Sequence, residues 1–318
     1  MPVDASATPL VNIIIPCYNA ERFVGEAVRS ALEQTYPHRE IIVVNDGSTD
    51  GSLEVLKSFG NAIRLETGPN RGGCAARNRG LALARGELVQ FLDADDMLHT
   101  KKLEKQVPLV LASPDRICYC DFQYIDEQGS PVTGMGVVDR NCEGVDPVVL
   151  VVARCGLSTP APIHWRENLI KVGGFREFLT CAQERDLHIR LACHGLGFRH
   201  LAEPLVTIRQ VGGSVSSQFV KILDQHEDIL LNAKTLLEKA GTLTDERREA
   251  MASLLASDGR NYLKHGEKGK SLRYFRLAKE IHPDGGISMA YGGMSRVVHR
   301  LFGPVVTHRL GQMLRGSK

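Results

Sequence analysis

Along the first hundred residues the apolar positions follow two rhythms in turn. The β-branched run VNIII, Val11–Ile15, stops at Pro16 and predicts a strand buried on both faces. In ERFVGEAVRSALEQT, Phe23, Val24, Ala27, Val28, Ala31 and Leu32 fall on one helical face. EIIVV, Glu40–Val44, is a second buried strand, closed by the turn-rich NDGSTDGS. A short helix (LEVLKSF), a strand (AIRLE), a glycine-rich loop, a helix (CAARNRGLALARG) and a strand (ELVQFL) follow. Strands alternating with helices predict a parallel, doubly wound sheet over residues 10–93. Such sheets bind ligands beyond the carboxyl ends of their strands. The loops there, PCYNA, NDGSTD, TGPNRGG and DADD, carry most of this half's polar residues.

Beyond Asp96 the pattern changes. KKLEKQVPLVLA predicts a helix, RICYCDFQYID a strand, and DEQGS a tight turn back towards PVTGMGVV. A helix is expected at Pro147–Ala153, then a short strand, helix and glycine turn in APIHWRENLIKVGGF. QERDLHIRLACHG is an amphipathic helix, and RHLAEPLVTIR is extended. These elements predict an α/β domain over residues 1–217, a doubly wound mixed sheet flanked by helices, in two halves, 10–97 and 98–217. Residues 218–318 read as a C-terminal α-helical extension whose last two long helices resemble one helix–turn–helix repeat unit.

Composition narrows the picture only a little. The 318 residues are 43% hydrophobic and 24% charged, as in an ordinary globular protein, and the net charge of +2 gives no signal for nucleic-acid binding. The eight cysteines are scattered through apolar stretches and read as buried thiols of a reducing compartment. MPVDASATPL has neither the basic start nor the apolar core of a signal peptide, and no apolar stretch approaches the length of a membrane span. The expected location is the cytoplasm.

The chemistry concentrates in FLDADDMLH. Asp93, Asp95 and Asp96 lie within four positions after an apolar run, where they repel one another. Two acids one residue apart at a strand end suit a hard divalent cation with oxygen ligands, Mg²⁺ or Mn²⁺, of the kind shared with substrate phosphates. The alternative is a solvated loop that caps the helix starting near Thr100. Asp46 ends the second strand and either accepts from a base or ribose or serves a turn. NRGGCAARNRG offers free backbone amides ahead of a helix, with Arg77 to meet a phosphate. It is neither a P-loop nor a GxGxxG fingerprint. Tyr18 either stacks on a base or packs in the sheet mouth.

The stretches VNIIIPCYNAERFVGEAVRSALEQTYPHREIIVVNDGSTDGS, NRGGCAARNRGLALARGELVQFLDADD and QERDLHIRL resemble the family-two inverting glycosyltransferases of GT-A fold. The resemblance is dense over residues 10–97 and looser to about Ser217. It implies a nucleotide-sugar donor, most often UDP-linked, and a saccharide or lipid-linked acceptor in cell-surface glycan synthesis. It assigns donor contacts to Pro16, Tyr18, Asn19, Glu21, Asp46, Ser48, Asn70, Gly73, Arg77, Asp93 and Ala94, and the metal to Asp93, Asp95 and Asp96. Relatives often carry Glu-Asp at the start of the late helix. Here Glu184 takes the matching position as general base, with Asp186 as runner-up, although acids at a helix N-terminus are also favoured by its dipole.

The chain departs from the family pattern in one place. Where many relatives have R-x-H-x-x-S, it reads TIRQVGGSVS, with Arg209 and Ser214 in place but Val211 where the His would fall. Trp165 lines an acceptor groove or fills the core, and His164 and His188 read as surface or packing residues rather than ligands. After Asp284 no acid remains, and Arg296, Arg300, Arg309, Arg315 and Lys318 are interleaved with apolar residues. Such a tail either lies peripherally on the inner membrane surface or packs on the catalytic domain with a solvated basic face. Two other readings are weaker. A sugar-nucleotide pyrophosphorylase lacks its glycine-rich signature in IIIPCYNAER, and a non-catalytic binding module rests only on the missing His and on Gln-Glu in place of Glu-Asp.

Overall fold

The computed structural model describes residues 8–132, 142, 144–154, 157–212, 219–284, 299 and 303–308. Ser214, most of PVTGMGVV, and Arg296, Arg300, Arg309, Arg315 and Lys318 of the tail lie outside the described residues.

The first half of the sheet runs β1 (Val11–Cys17), α1 (Val24–Leu32), β2 (Arg39–Asp46), α2 (Ser52–Lys57), β3 (Arg64–Gly68), α3 (Gly73–Leu83) and β4 (Leu88–Phe91). Its strands lie in the order β3-β2-β1-β4, all parallel, with Val11 opposite both Arg39 and Leu88. Val11 and Ile13 to Ile15 are fully buried, so both faces of β1 are core, as the unbroken run requires.

The chain continues through β5 (Met97–Leu98), α4 (Lys102–Leu111), β6 (Arg116–Ile125), β7 (Pro131–Val132), α5 (Pro147–Val149), β8 (Pro162–Trp165), α6 (Arg166–Lys171), α7 (Gln183–Cys193) and β9 (Gly197–Arg209). The sheet extends as β4-β8-β6-β9-β5 and turns mixed. β8 is antiparallel to β4 and β6, β9 is parallel to β6, β5 is antiparallel to β9, and β7 pairs with β6. The fold is thus a mixed α/β sheet flanked by helices.

Trp165 is core, on a β8 buried at all four positions. His164 and His188 are also interior and stack at 5.4 Å, so the packing reading holds and the surface one does not. Burial pulls both imidazoles below their usual range, His188 to about 3, and they stay neutral. Nearby, the buried Lys102 ammonium donates to Gln90 Oε1, and burial lowers it to about 8. Among the described residues every cysteine is a free thiol, and all but Cys193 are buried.

Contacts divide the chain into two compact units, Met1–Pro147 with Gly156–Ser217, and Val148–Cys155 with Gln218–Lys318. Val148–Cys155, read from the sequence as part of the 98–217 half, group by contacts with the C-terminal helices. These are α8 (Phe219–Lys239), α9 (Asp245–Lys264) and α10 (Lys268–Ile281). Thr244 caps α9 by accepting from Arg247 N. Tyr262 and Tyr274 meet edge to face at 5.0 Å, and their hydroxyls donate to Asp224 and to the Leu223 carbonyl of α8. No helix among the described residues is long and apolar enough to cross a membrane.

The turn from α3 into β4 is set by close approach. The buried Asn12 Oδ1 accepts from Arg85 N at 3.1 Å and Gly86 N at 2.6 Å, and a Cβ on Gly86 would sit 2.3 Å from the Leu10 carbonyl oxygen. Gly86→Ala is expected to cost about 1–3 kcal/mol in urea unfolding, because backbone must move; a midpoint equal to that of the wild type would contradict the packing described.

Candidate functional site

The carboxyl ends of β1, β2 and β4, the N-terminus of α3 and the first turn of α7 form one polar region. Its first two loops are laced together. Asn19, in the left-handed region at φ 49°, accepts at Oδ1 from Thr49 N (2.8 Å), and its own amide donates to Ser48 Oγ (3.1 Å). Glu21 accepts from Gly51 N and donates its amide to Asp50. Pro16 is partly buried, and Tyr18 beside it is half-exposed at 50%.

Asp46 ends β2 and is buried. Its two oxygens accept from Arg71 N (2.9 Å) and Gly72 N (2.8 Å). That grip, with Asn70 Oδ1 accepting from Gly72 N at 3.2 Å, folds the glycine-rich loop onto the strand ends and leaves Asn70 and Gly73 exposed at the start of α3. Asp46 thus serves the loop.

Arg77 is the hinge of the site. Its side chain is 8% exposed, and Nη2 lies 2.5 Å from Asp93 Oδ1 and 3.7 Å from Glu184 Oε1. The guanidinium also stands 5.3 Å from the Phe175 ring centre. The sequence suggested a phosphate contact for Arg77; the structure has it bridging the two carboxylates, because α3 runs beneath both the β4 loop and the start of α7. Glu184 accepts a second contact at Oε1, from Thr159 Oγ1 at 2.9 Å. Thr159 follows no motif, and nothing in LSTPAP marks it.

Asp186 corrects an expectation. It is 1% exposed and gripped by Arg176 and by Arg190, whose Nε and Nη2 lie 2.8 and 2.7 Å from it. Arg190 in turn donates to the Val172 and Gly174 carbonyls. A carboxylate so enclosed fastens α7 to the glycine turn and has no room to act as base. The turn at the front of α7 is tight: Ala182 caps it at φ 54°, a left-handed conformation costly for a residue with a Cβ.

The acid trio divides as well. Asp96 is buried and accepts at Oδ1 from Arg209 N at 3.0 Å, which turns it inward and removes it from the expected ligand set. Asp93 and Asp95 are partly exposed, and Ala94 between them is buried. Burial and the neighbouring Asp93 raise the Asp95 carboxyl to about 6. Two oxygen donors held against each other in this way fit a hard divalent cation that takes its remaining ligands from substrate. Among the described residues no cluster of three or more His, Cys, Asp or Glu could hold a metal by itself. Arg209 is committed elsewhere: it donates to Glu26, to the Glu127 carbonyl and to the Asp95 carbonyl, with Phe23 beneath it at 4.6 Å. It borders a cavity of about 600 Å³ lined by Arg22, Glu26, Gln123, Glu127 and Thr207 among others.

Residues 12–135 match the family model described as Glycosyl transferase family 2. A Rickettsia typhi protein named an uncharacterized glycosyltransferase is 41% identical over 229 residues, which are 69% of this chain and 70% of that protein. The chain belongs to glycosyl transferase family 2. This family-2 chain covers only 31% of the length of longer relatives in Rickettsia felis and Rickettsia conorii. Among solved structures it is similar to S. aureus TarS in complex with UDP-GlcNAc, at 19% identity and TM-score 0.69 over 97% of this chain and 92% of that one. It is also similar to a Pyrobaculum calidifontis mannosyltransferase in complex with GDP-Man and Mn²⁺, at 17% identity and TM-score 0.59 over 98% and 85%. At those identities the likeness shows that the family-2 chain has their fold.

An ionised Asp95 costs this fold stability. Its folded pKa of about 6 stands above the ordinary 3.8, so the cost is full above pH 6 and disappears as pH falls to 4. Asp95→Asn should therefore raise the metal-free thermal midpoint at pH 8, by a stability gain on the order of 1–3 kcal/mol that shrinks towards pH 4. A midpoint at pH 8 no higher than that of the wild type would refute it.

Proposed function

We propose that this chain transfers a sugar from a nucleoside-diphosphate donor, most simply a UDP-sugar, to a hydroxyl of a saccharide or lipid-linked acceptor, with inversion at the anomeric carbon. The observation that carries this reading is the pair Asp93 and Glu184, both within 4 Å of one nitrogen of a buried guanidinium. Inversion needs the acceptor's base and the leaving diphosphate on opposite sides of the anomeric carbon, and two acids from different elements, Asp93 after β4 and Glu184 at the head of α7, support that division of labour. The TarS and mannosyltransferase structures, solved with nucleotide-sugars, support a donor of that class.

In this reading Tyr18, Asn19, Glu21, Asp46, Ser48 and Asn70 frame the nucleotide, with Pro16 and Ala94 shaping the floor. The exposed amides at the start of α3, around Gly73, face the negative phosphates favoured at a helix N-terminus. Asp93 and Asp95 would hold Mg²⁺ or Mn²⁺, which when bound supplies charge neutralisation for the departing diphosphate. Glu184 takes the proton of the attacking hydroxyl at the oxygen not engaged by Thr159 and Arg77. Arg77 holds Asp93 and Glu184 in fixed register while the anomeric bond exchanges.

Nucleotide release from a panel of UDP- and GDP-sugars tests the reading. Glu184→Gln should lower kcat by about 10²–10⁴ while donor affinity persists, and Asp95→Asn should abolish the effect of Mn²⁺ on nucleoside-diphosphate affinity in calorimetry. Wild-type turnover in Glu184→Gln would discard the base assignment.

The basic, apolar-interleaved sequence after Asp284 supports action at an anionic membrane surface on the cytoplasmic side, where lipid-linked acceptors reside. Co-sedimentation with phosphatidylserine vesicles should fall when Arg309 and Arg315 are both changed to Glu; unchanged partitioning removes the membrane from this reading.

A further inference from the structure

We infer that Thr159 is a positioning residue that aims the carboxylate of Glu184, an inference that rests on the reading of Glu184 as the acceptor's base. Glutamate has three rotatable side-chain bonds, and a carboxylate at the exposed edge of a helix's first turn would otherwise sample several orientations. Its only close charge partner among the described residues is Arg77, at 3.7 Å, outside hydrogen-bonding distance. The directional contact is the Thr159 hydroxyl, which donates to Oε1 at 2.9 Å. Both contacts fall on the same oxygen. Oε2 accepts no hydrogen bond from the described residues, so it is the oxygen left to take a proton.

Thr159 is well placed to act this way because its own freedom is small. It is 8% exposed, and the Pro160 that follows restricts it to extended backbone. The fully buried Gln90 donates from Nε2 to the Pro160 carbonyl at 2.9 Å, and Ala161 N closes a turn onto Ser158 at 3.2 Å. Its β-branch further limits χ1. A rigid hydroxyl thus meets a flexible carboxylate, and the flexible partner adapts to the rigid one.

A tie that only joined the 157–161 loop to α7 would move stability and leave turnover alone, so kinetics separate the two roles. Nucleotide release is measured for wild type, Thr159→Val, Thr159→Ser, Glu184→Gln and the Thr159→Val/Glu184→Gln double variant, with folding checked by circular dichroism. Thr159→Val should lower kcat about tenfold with the donor KM unchanged, and Thr159→Ser should stay within about twofold of wild type. In the Glu184→Gln background Thr159→Val should cost nothing further, because the group it aims is gone. Equal losses in both backgrounds, or a Thr159→Val kcat equal to wild type, overturn the positioning role while the transferase reading stands. Absence of wild-type turnover with every donor, or full turnover in Glu184→Gln, overturns the inference together with the reading beneath it.

Discussion

A guanidinium sealed from water has to be surrounded by what it needs, and the polar region at the strand ends is arranged around that demand at Arg77. Its side chain is 8% exposed, and moving such a charge out of water costs several kcal/mol unless acids and hydrogen bonds compensate. Asp93 compensates directly, Glu184 more loosely, and the Phe175 ring covers the remaining side. Because Arg77 sits on α3, Asp93 after β4, and Glu184 at the head of α7, one interaction fixes three elements far apart in sequence. The supporting latches follow from it. Asn78, one residue on, accepts from Phe175 N and donates to the Phe175 carbonyl, both at 2.8 Å, pinning the loop that brings α7 to the site. Without the buried cation, Asp93 would face Asp95 with nothing opposing their repulsion on that side.

The acids of the site are divided between folding and chemistry by one criterion, the partner each has found. Asp46 is taken up by two backbone amides, Asp96 by the amide of Arg209, and Asp186 by two arginines. Each is buried and each holds a loop or helix end in place. Asp93, Asp95 and Glu184 remain partly open to solvent. Carboxylates whose oxygens are taken up by the protein fasten the fold there; those left with an oxygen facing water retain the capacity to bind a cation or take a proton.

That criterion also explains what could be read from the sequence. The parallel half was legible because VNIII and EIIVV admit only buried strands, and a buried parallel strand forces its polar residues to the loops at its end. The cluster at Asp93, Asp95 and Asp96 was legible as a group for the same reason. Its division was not, since the choice between Asp95 and Asp96 depends on Arg209, 113 residues away from Asp96. The choice between Glu184 and Asp186 likewise turned on Arg176 and Arg190 closing over the latter. The mixed order β4-β8-β6-β9-β5 was out of reach, because the pairing of short strands such as Pro162–Trp165 is set by tertiary packing. Thr159 carried no signal at all: a single hydroxyl acting through another residue has no periodicity and no motif.

The acid loop is also steadied from behind. In this chain the cation behind the acid loop is Arg209. It donates to the Asp95 carbonyl and to Glu26 while its own amide restrains Asp96. An arginine used in this way steadies the loop from the protein side and leaves the solvent side to Asp93 and Asp95 alone. The loop is consequently held firmly at its base and electrostatically unsatisfied at its tip, the combination expected where native strain is reserved for a charged ligand. The same trade recurs at Ala182, whose left-handed backbone sets the first turn of α7 and with it the approach of Glu184 to Arg77. Asn19, the other non-glycine residue in the left-handed region among the described residues, lies in the first loop of the same polar region.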